Sequence, residues 1–174
     1  MILVTPQDEP IGVMEKMEAH QKGLLHRAFS VFIFDSKGRM LLQQRAPQKY
    51  HGAWLWTNAC CSHPYWNEPV EAAAQRRLQE ELGFTTPLEE IFAFTYKAPV
   101  ENNLIEHEYD HVFAGEYEGK IEMNKEEVCD YAYRHLAEIK VMLAEKPALF
   151  TTWFTIAFPQ IEDWWKEHYA KAAV

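Results

Sequence analysis

The sequence has 174 residues, 48% of them apolar and 25% charged, enough for one domain with a buried core and too few for two. Seventeen Lys and Arg stand against 26 Asp and Glu, a formal charge of −9, which repels duplex nucleic acid and anionic membrane surfaces except at a local basic patch. The longest mostly apolar stretch, Ala148 to Phe158, is broken by three threonines and is far shorter than the roughly 20 residues of a membrane-crossing helix.

The start of the chain lacks a basic, signal-like segment and turns acidic at Asp8-Glu9, so a cytoplasmic protein is expected. Three cysteines, two of them adjacent at Cys60 and Cys61, make a poor disulfide framework and offer no Cys-x-x-Cys zinc spacing. An important cysteine here works as a thiol.

In chain order, Ile2 to Val4 reads as a short strand before a turn at Pro10 to Gly12. Ala28 to Phe34 and Arg39 to Gln44 read as a hairpin around Asp35-Ser36-Lys37-Gly38. Residues 45 to 67 mix basic, aromatic, Cys and His residues without a period, as expected of a long loop close to the function. From Glu68 to Leu82 an apolar stripe of Val70, Ala74, Leu78 and Leu82 precedes Gly83, which predicts a helix and its stop. Strands are predicted at Ile91 to Lys97, Leu104 to Ala114 and Cys129 to Tyr133, then a helical tail from Leu136 interrupted by Pro147 and Pro159. The expected fold class is α/β (α+β), a mixed sheet sandwiched between helices, with residues 1–174 as a single domain.

Three groups of residues suggest chemistry. In the strand holding Glu106-His107-Glu108, alternation puts both carboxylates on one face. If that face is inward, burial and like-charge repulsion call for a cation; if outward, it is a solvated surface. His20 and His26 bracket a turn at Gly23, and His63 follows Cys61 closely, so three imidazoles could join the glutamates as an all-N/O ligand set for a Zn²⁺ or Mn²⁺ ion. The other five histidines, His51 among them, show no comparable pattern. Arg77 and Glu81, one helical turn apart, read either as an exposed ion pair or as a phosphate contact beside a Mg²⁺ ligand. Arg45 and Lys49, with Lys16 more distant, could give a small diphosphate a positive seat in an acidic chain.

Three blocks occur in order: Gly23-Leu24-Leu25-His26-Arg27-Ala28-Phe29, Thr57-Asn58-Ala59-Cys60-Cys61-Ser62-His63-Pro64, and Arg76-Arg77-Leu78-Gln79-Glu80-Glu81-Leu82-Gly83. With Glu106-His107-Glu108 and Trp153 downstream, they resemble type I isopentenyl-diphosphate isomerases over roughly residues 10 to 160. That resemblance implies a Nudix-type fold, with a core at about 24–158, an N-terminal strand and helix extension, and a C-terminal helix over 160–173. The Nudix signature is only partly kept: Ser62 stands in its Gly position, Glu68 in its first Glu, Arg77 where a Glu follows Arg76, and Phe84 in its last aliphatic position. The lost carboxylate argues against ordinary Nudix hydrolysis of a nucleoside diphosphate derivative, the alternative activity. A domain in which the His/Glu cluster merely stabilises the fold is a further alternative.

The resemblance also assigns roles. It makes His20, His26, His63, Glu106 and Glu108 ligands of one Zn²⁺ or Mn²⁺ ion, and Cys61 and Glu108 the proton-handling pair, assisted by Tyr96. It gives Glu81 and the Cys61 carbonyl to the Mg²⁺ that binds the diphosphate, and Lys16, Arg45, Lys49, Arg77 and Trp153 to the substrate. The expected partner is thus a small diphosphate, for a chain that acts as a monomer in isoprenoid biosynthesis. Two stretches depart from the family's spelling: Gly52-Ala53-Trp54 lies where Pro-Gly or Gly-Gly is expected, and Tyr65-Trp66-Asn67-Glu68 where a Gly is common.

Overall fold

From Ala28 to Phe34 the only polar residue is Ser30, the pattern of a strand buried on both faces. A computed structural model, which describes residues 1–172, makes that run the spine of a nine-stranded mixed sheet. The elements are β1 (Ile2–Val4), β2 (Pro10–Val13), α1 (Lys16–Lys22), β3 (His26–Phe34), β4 (Met40–Arg45), β5 (Trp56–Thr57), β6 (Cys60–Ser62) and α2 (Val70–Leu82). After them come β7 (Leu88–Val100), β8 (Leu104–Glu116), β9 (Val128–Arg134), α3 (Leu136–Glu145) and α4 (Thr152–Ala172).

β3 runs parallel to β8, from His26 opposite Glu108 to Phe34 opposite Glu116. β7 adds antiparallel to β8, with Tyr96 opposite Glu108. β6 lies antiparallel to β3, with Cys61 opposite Ser30. Alternate side chains of β3 then feed two layers. Phe32 and Phe34 pack with Trp153, Phe154, Phe158 and Ile161 of α4 and Leu136 and Ile139 of α3. Phe29, Val31 and Ile33 pack with Ala73, Ala74, Leu78 and Leu82 of α2. The sandwich of helices about a mixed sheet is therefore present.

Several boundaries differ from those the sequence predicts. Pro10 to Gly12 is part of a strand paired with β1; the reversal sits just before it, where Asp8 takes a left-handed φ of 63°, a conformation Asp tolerates. The β3–β4 hairpin keeps a single ladder pair, Phe34 with Met40; β4 pairs instead with β9 along its length and with β5 at Gln43 and Gln44. The 45–67 stretch is not all loop, since it contributes β5 and β6. The first helix after it starts at Val70, after Pro69, and ends at Gly83 with φ 77°. Pro159 does not interrupt the tail: it lies inside α4, where Phe154, Ala157, Phe158 and Ile161 bury one continuous face on both sides of it and outweigh the lost backbone bond. The terminal helix thus begins at Thr152 rather than 160, and residue 173 lies outside the described residues.

Candidate active site

Three strand pairings and two helices deliver the site. The β3–β8–β7 registers line up His26, Glu108 and Tyr96 across the sheet. α1 brings His20, and its left-handed C-cap, Gly23 at φ 59°, turns the chain into β3 against Ile105. His63 follows directly on β6. Glu106 and Glu108 are both buried, so their shared face is the inward one.

His20, His26, His63 and Glu108 each bring one ligand atom, all within 4.8 Å of one another; His20, His51 and Glu106 form a second such group. His20 Nε2 lies 3.2 Å from Glu106 Oε2, and His63 Nε2 3.0 Å from Glu108 Oε1. The Nδ1 atoms of His20 and His26 face backbone carbonyls of Lys16 (2.7 Å) and Leu24 (2.8 Å), which commits Nδ1–H to those carbonyls and turns Nε2 toward the cluster, the orientation of metal-bound imidazole. His26 Nε2 is buried without a hydrogen-bond partner. A divalent cation fits these residues: an orphaned imidazole nitrogen, two further imidazoles and adjacent buried carboxylates lack only positive charge.

The titrations of these groups follow from their mutual contacts. Burial would raise Glu108, but the facing imidazoles of His26, 3.5 Å away, and His63 outweigh it and hold the carboxyl well below its ordinary range. Burial likewise would raise Glu106, as would the neighbouring Glu108; His20 and His51 bring it down. Burial alone would lower His20, yet its bond to Glu106 leaves it above the usual imidazole value. Burial pulls His63 down to about 4, so this imidazole is neutral at pH 7 and can ligate.

Beside the cluster stands Cys61. Its Sγ donates to Asn58 Oδ1 at 2.9 Å and accepts from Trp153 Nε1 at 3.0 Å, with Ser30 Oγ at 3.5 Å. Burial, then the charge of Asp110, pushes this thiol up to about 12, so it carries its proton at neutral pH. Tyr96 donates its hydroxyl to Glu108 Oε2 at 2.8 Å, and burial keeps that phenol protonated. Lys16, Arg45, Lys49 and Arg77 line one pocket with Cys61, Glu108 and Trp153. Desolvation and then Lys49 lower the Lys16 ammonium, a cost that a bound anion would offset. Arg45 also stacks its guanidinium 5.2 Å from the Trp153 ring.

Glu81 is buried, and both its oxygens already accept hydrogen bonds, from Arg77 (2.7 Å) and Gln43 (2.9 Å). It is therefore placed as an oxygen donor whose partner would have to be exchanged for an ion. The other signature carboxylates are committed to arginines: Glu68 to Arg76 at 2.7 and 2.9 Å, and Glu80 to Arg77 at 2.7 Å. Glu127 pairs with Lys49 and lies 3.4 Å from Arg77.

Four residues of the site escape sequence reasoning. Ser30 is flagged only as the lone polar residue of an apolar run. Asp110, buried with Oδ1 unpartnered and Oδ2 accepting from Ser30 at 2.8 Å, continues the Glu106/Glu108 alternation by one step, a signal that could have found it. His51 and Glu127 lie in segments without periodicity and have no such signal. At the two unusual spellings, Trp54 (φ 66°) and Asn67 (φ 63°) take the left-handed conformation that glycine supplies more easily.

A model of the NUDIX domain family matches residues 24–154. The chain is 48% identical to isopentenyl-diphosphate Delta-isomerase 2 of Photorhabdus laumondii over 94% of this chain and 96% of that protein. It is 51% identical to the isopentenyl-diphosphate Delta-isomerase of Serratia proteamaculans over 88% and 86%. Among solved structures, one from Deinococcus radiodurans matches with a TM-score of 0.77 at 15% identity, covering 91% of this chain and 96% of that one. The MutT protein of Methanosarcina mazei matches at 0.66 and 18%, covering 80% and 94%; at such identities these speak for the fold alone. No helix among the described residues is long and apolar enough to cross a membrane. By sequence over most of its length and by the architecture of its sheet, the chain belongs to the isopentenyl-diphosphate Delta-isomerase family of Nudix-fold proteins.

Proposed function

We propose that this chain interconverts isopentenyl diphosphate and dimethylallyl diphosphate, acting as a monomer in the cytoplasm, with Cys61 and Glu108 as its two proton-handling groups. The observation that carries this reading is the pairing, in one pocket, of a protonated thiol with an ionised carboxylate that is itself hydrogen-bonded to Tyr96. Moving the double bond from between C3 and C4 to between C2 and C3 adds a proton at C4 and removes one from C2. Cys61 and Glu108 stand on opposite faces of the five-carbon chain, so one delivers while the other withdraws, and no water is consumed.

His20, His26, His63, Glu106 and Glu108 would hold a Zn²⁺ or Mn²⁺ ion, and Glu81 with the Cys61 carbonyl a Mg²⁺. Such ions supply positive charge that tunes the proton affinity of Glu108 and neutralises the diphosphate. Lys16, Arg45, Lys49 and Arg77 seat that diphosphate, and binding energy spent there orients the distant reacting carbons. Protonation of an alkene leaves a tertiary carbocation-like centre. The Trp153 ring can offer it a π face, a contribution of about 0.5–2 kcal/mol; the rest must come from preorganised charge and exclusion of nucleophiles.

Incubation with isopentenyl diphosphate and Mg²⁺ in D₂O, followed by NMR, tests the reading. Dimethylallyl diphosphate carrying deuterium is the expected product. Release of phosphate without allylic product would overturn it in favour of hydrolysis.

A further inference from the structure

His51 sits in the aperiodic loop, yet it is buried, and its Nε2 lies 2.9 Å from Glu106 Oε1. The other oxygen of that carboxylate, Oε2, faces His20. The backbone of this segment is pinned, since Arg45 donates to the carbonyls of His51 (3.0 Å) and Gly52 (3.1 Å). The ring is wedged edge-on between Tyr50, 4.4 Å away, and Trp153, 5.8 Å away. His51 is thus a fixed donor aimed at a single carboxylate oxygen.

The two groups of ligand atoms share one residue. His20 belongs to both groups, so the group of His20, His51 and Glu106 meets the four-residue set at His20. Neither His51 nor Glu106 lies within 4.8 Å of all the atoms of the four-residue set, but Glu106 Oε2 faces His20 of that set, while His51 Nε2 faces the other oxygen of the same carboxylate. Glu106, meanwhile, stands beside a second buried carboxylate that repels it, so something must fix where it points.

We propose that His51 is a positioning residue of the metal centre: its Nε2–H holds Glu106 Oε1, which leaves Oε2 turned toward His20 and the ion. The inference rests on the metal reading given above, and it adds to that ligand set a support outside it. Supports of this kind typically change metal affinity by 10- to 100-fold.

The test compares Zn²⁺ retention against a competing chelator in the wild type, His51→Leu and His51→Gln, with circular dichroism as the control for folding. Leu keeps much of the bulk and removes the donor, whereas the Gln amide N–H reaches where Nε2 was. The expected result is a loss of about 10- to 100-fold in Zn²⁺ affinity for Leu and a return to within a few-fold of wild type for Gln. The Co²⁺-loaded Gln variant should keep the wild-type absorption spectrum, since the ligand set is unchanged. Equal affinities in all three proteins would overturn the positioning role, and so would a Gln variant as weak as Leu. An altered Co²⁺ spectrum in Gln would make His51 a direct ligand and overturn it too. Wild-type protein that retains no Zn²⁺ would instead overturn the metal reading itself, a distinguishable failure.

Discussion

The two halves of the pocket are built in opposite ways. The His/Glu half is set by strand register and is buried: His26, Glu108 and Tyr96 occupy paired positions on three neighbouring strands, and each imidazole Nδ1 of His20 and His26 is fixed by a carbonyl. The cationic half is made of long side chains from a loop, a strand end and two helices, and two of its four charges are already paired with carboxylates. Lys49 contacts Glu127, while Arg77 spans Glu80, Glu81 and Glu127. One half is preorganised around missing positive charge. The other stores part of its positive charge, that of Lys49 and Arg77, in exchangeable pairs that an anion can compete for.

If this contrast holds, perturbing the rigid half should abolish chemistry and leave the fold. Cys61→Ala and Glu108→Gln should each lower isomerisation by about 100- to 10,000-fold, the span typical of acid–base groups, with circular dichroism unchanged. Near-normal turnover in either would remove that residue from the proton path. Divalent-ion removal should act similarly: turnover measured by NMR falls away and returns on adding the ion back, while the melting curve persists, because two hydrophobic layers outside the cluster carry the fold. Unfolding on chelation would mean that the rigid half is held together only by its ion.

Perturbing the exchangeable half should cost stability in a pH-dependent way. Burial would raise the Glu127 carboxyl, but Lys49 and Arg77 outweigh it and bring it below its ordinary value. Its contribution is therefore complete above the unfolded carboxylate value of about 4.3 and is lost as pH falls through the lower folded value. Glu127→Gln should cost on the order of 1 kcal/mol at pH 7, or about 2–4 °C in melting midpoint, and the gap from wild type should close in acid. The smallest effect is expected at the rim of the same half. Trp54 is exposed and left-handed at φ 66°, so Trp54→Gly should gain only a few tenths of a kcal/mol, relief of the left-handed backbone being partly offset by the entropy glycine returns to the unfolded chain, read as a slightly higher midpoint in thermal melts.

The same contrast explains what could be read from the sequence. Alternation fixes which side chains share a strand face, so Glu106 and Glu108 could be paired on sight, although only the sheet decides that their face is inward. The four-residue stripe from Val70 to Leu82 announces α2, and the Cys-Ser-His block marks the site. What periodicity cannot carry is pairing between distant segments. That Ser30 meets Cys61, or that β4 prefers β9 over its hairpin partner, depends on long-range register. Loops carry no period at all, which is why His51 and Glu127 stayed invisible beside residues of the same type that do nothing. Pro159 misleads for the converse reason: a local rule against helix is overridden by a tertiary face that α4 buries around it.

The parallel pairing of β3 with β8 has one more consequence. His26 and Glu108 come from far-apart stretches of chain, and they become neighbours only when that long-range pairing closes, among the slower events in assembling such a sheet. A slip of a single residue would send Ile105, His107 and Tyr109 inward and both glutamates to the opposite side. Nascent or misregistered chains therefore cannot bring His26 beside Glu108, and on the proposed ligand set, uptake of a divalent ion would report that the chain is correctly threaded.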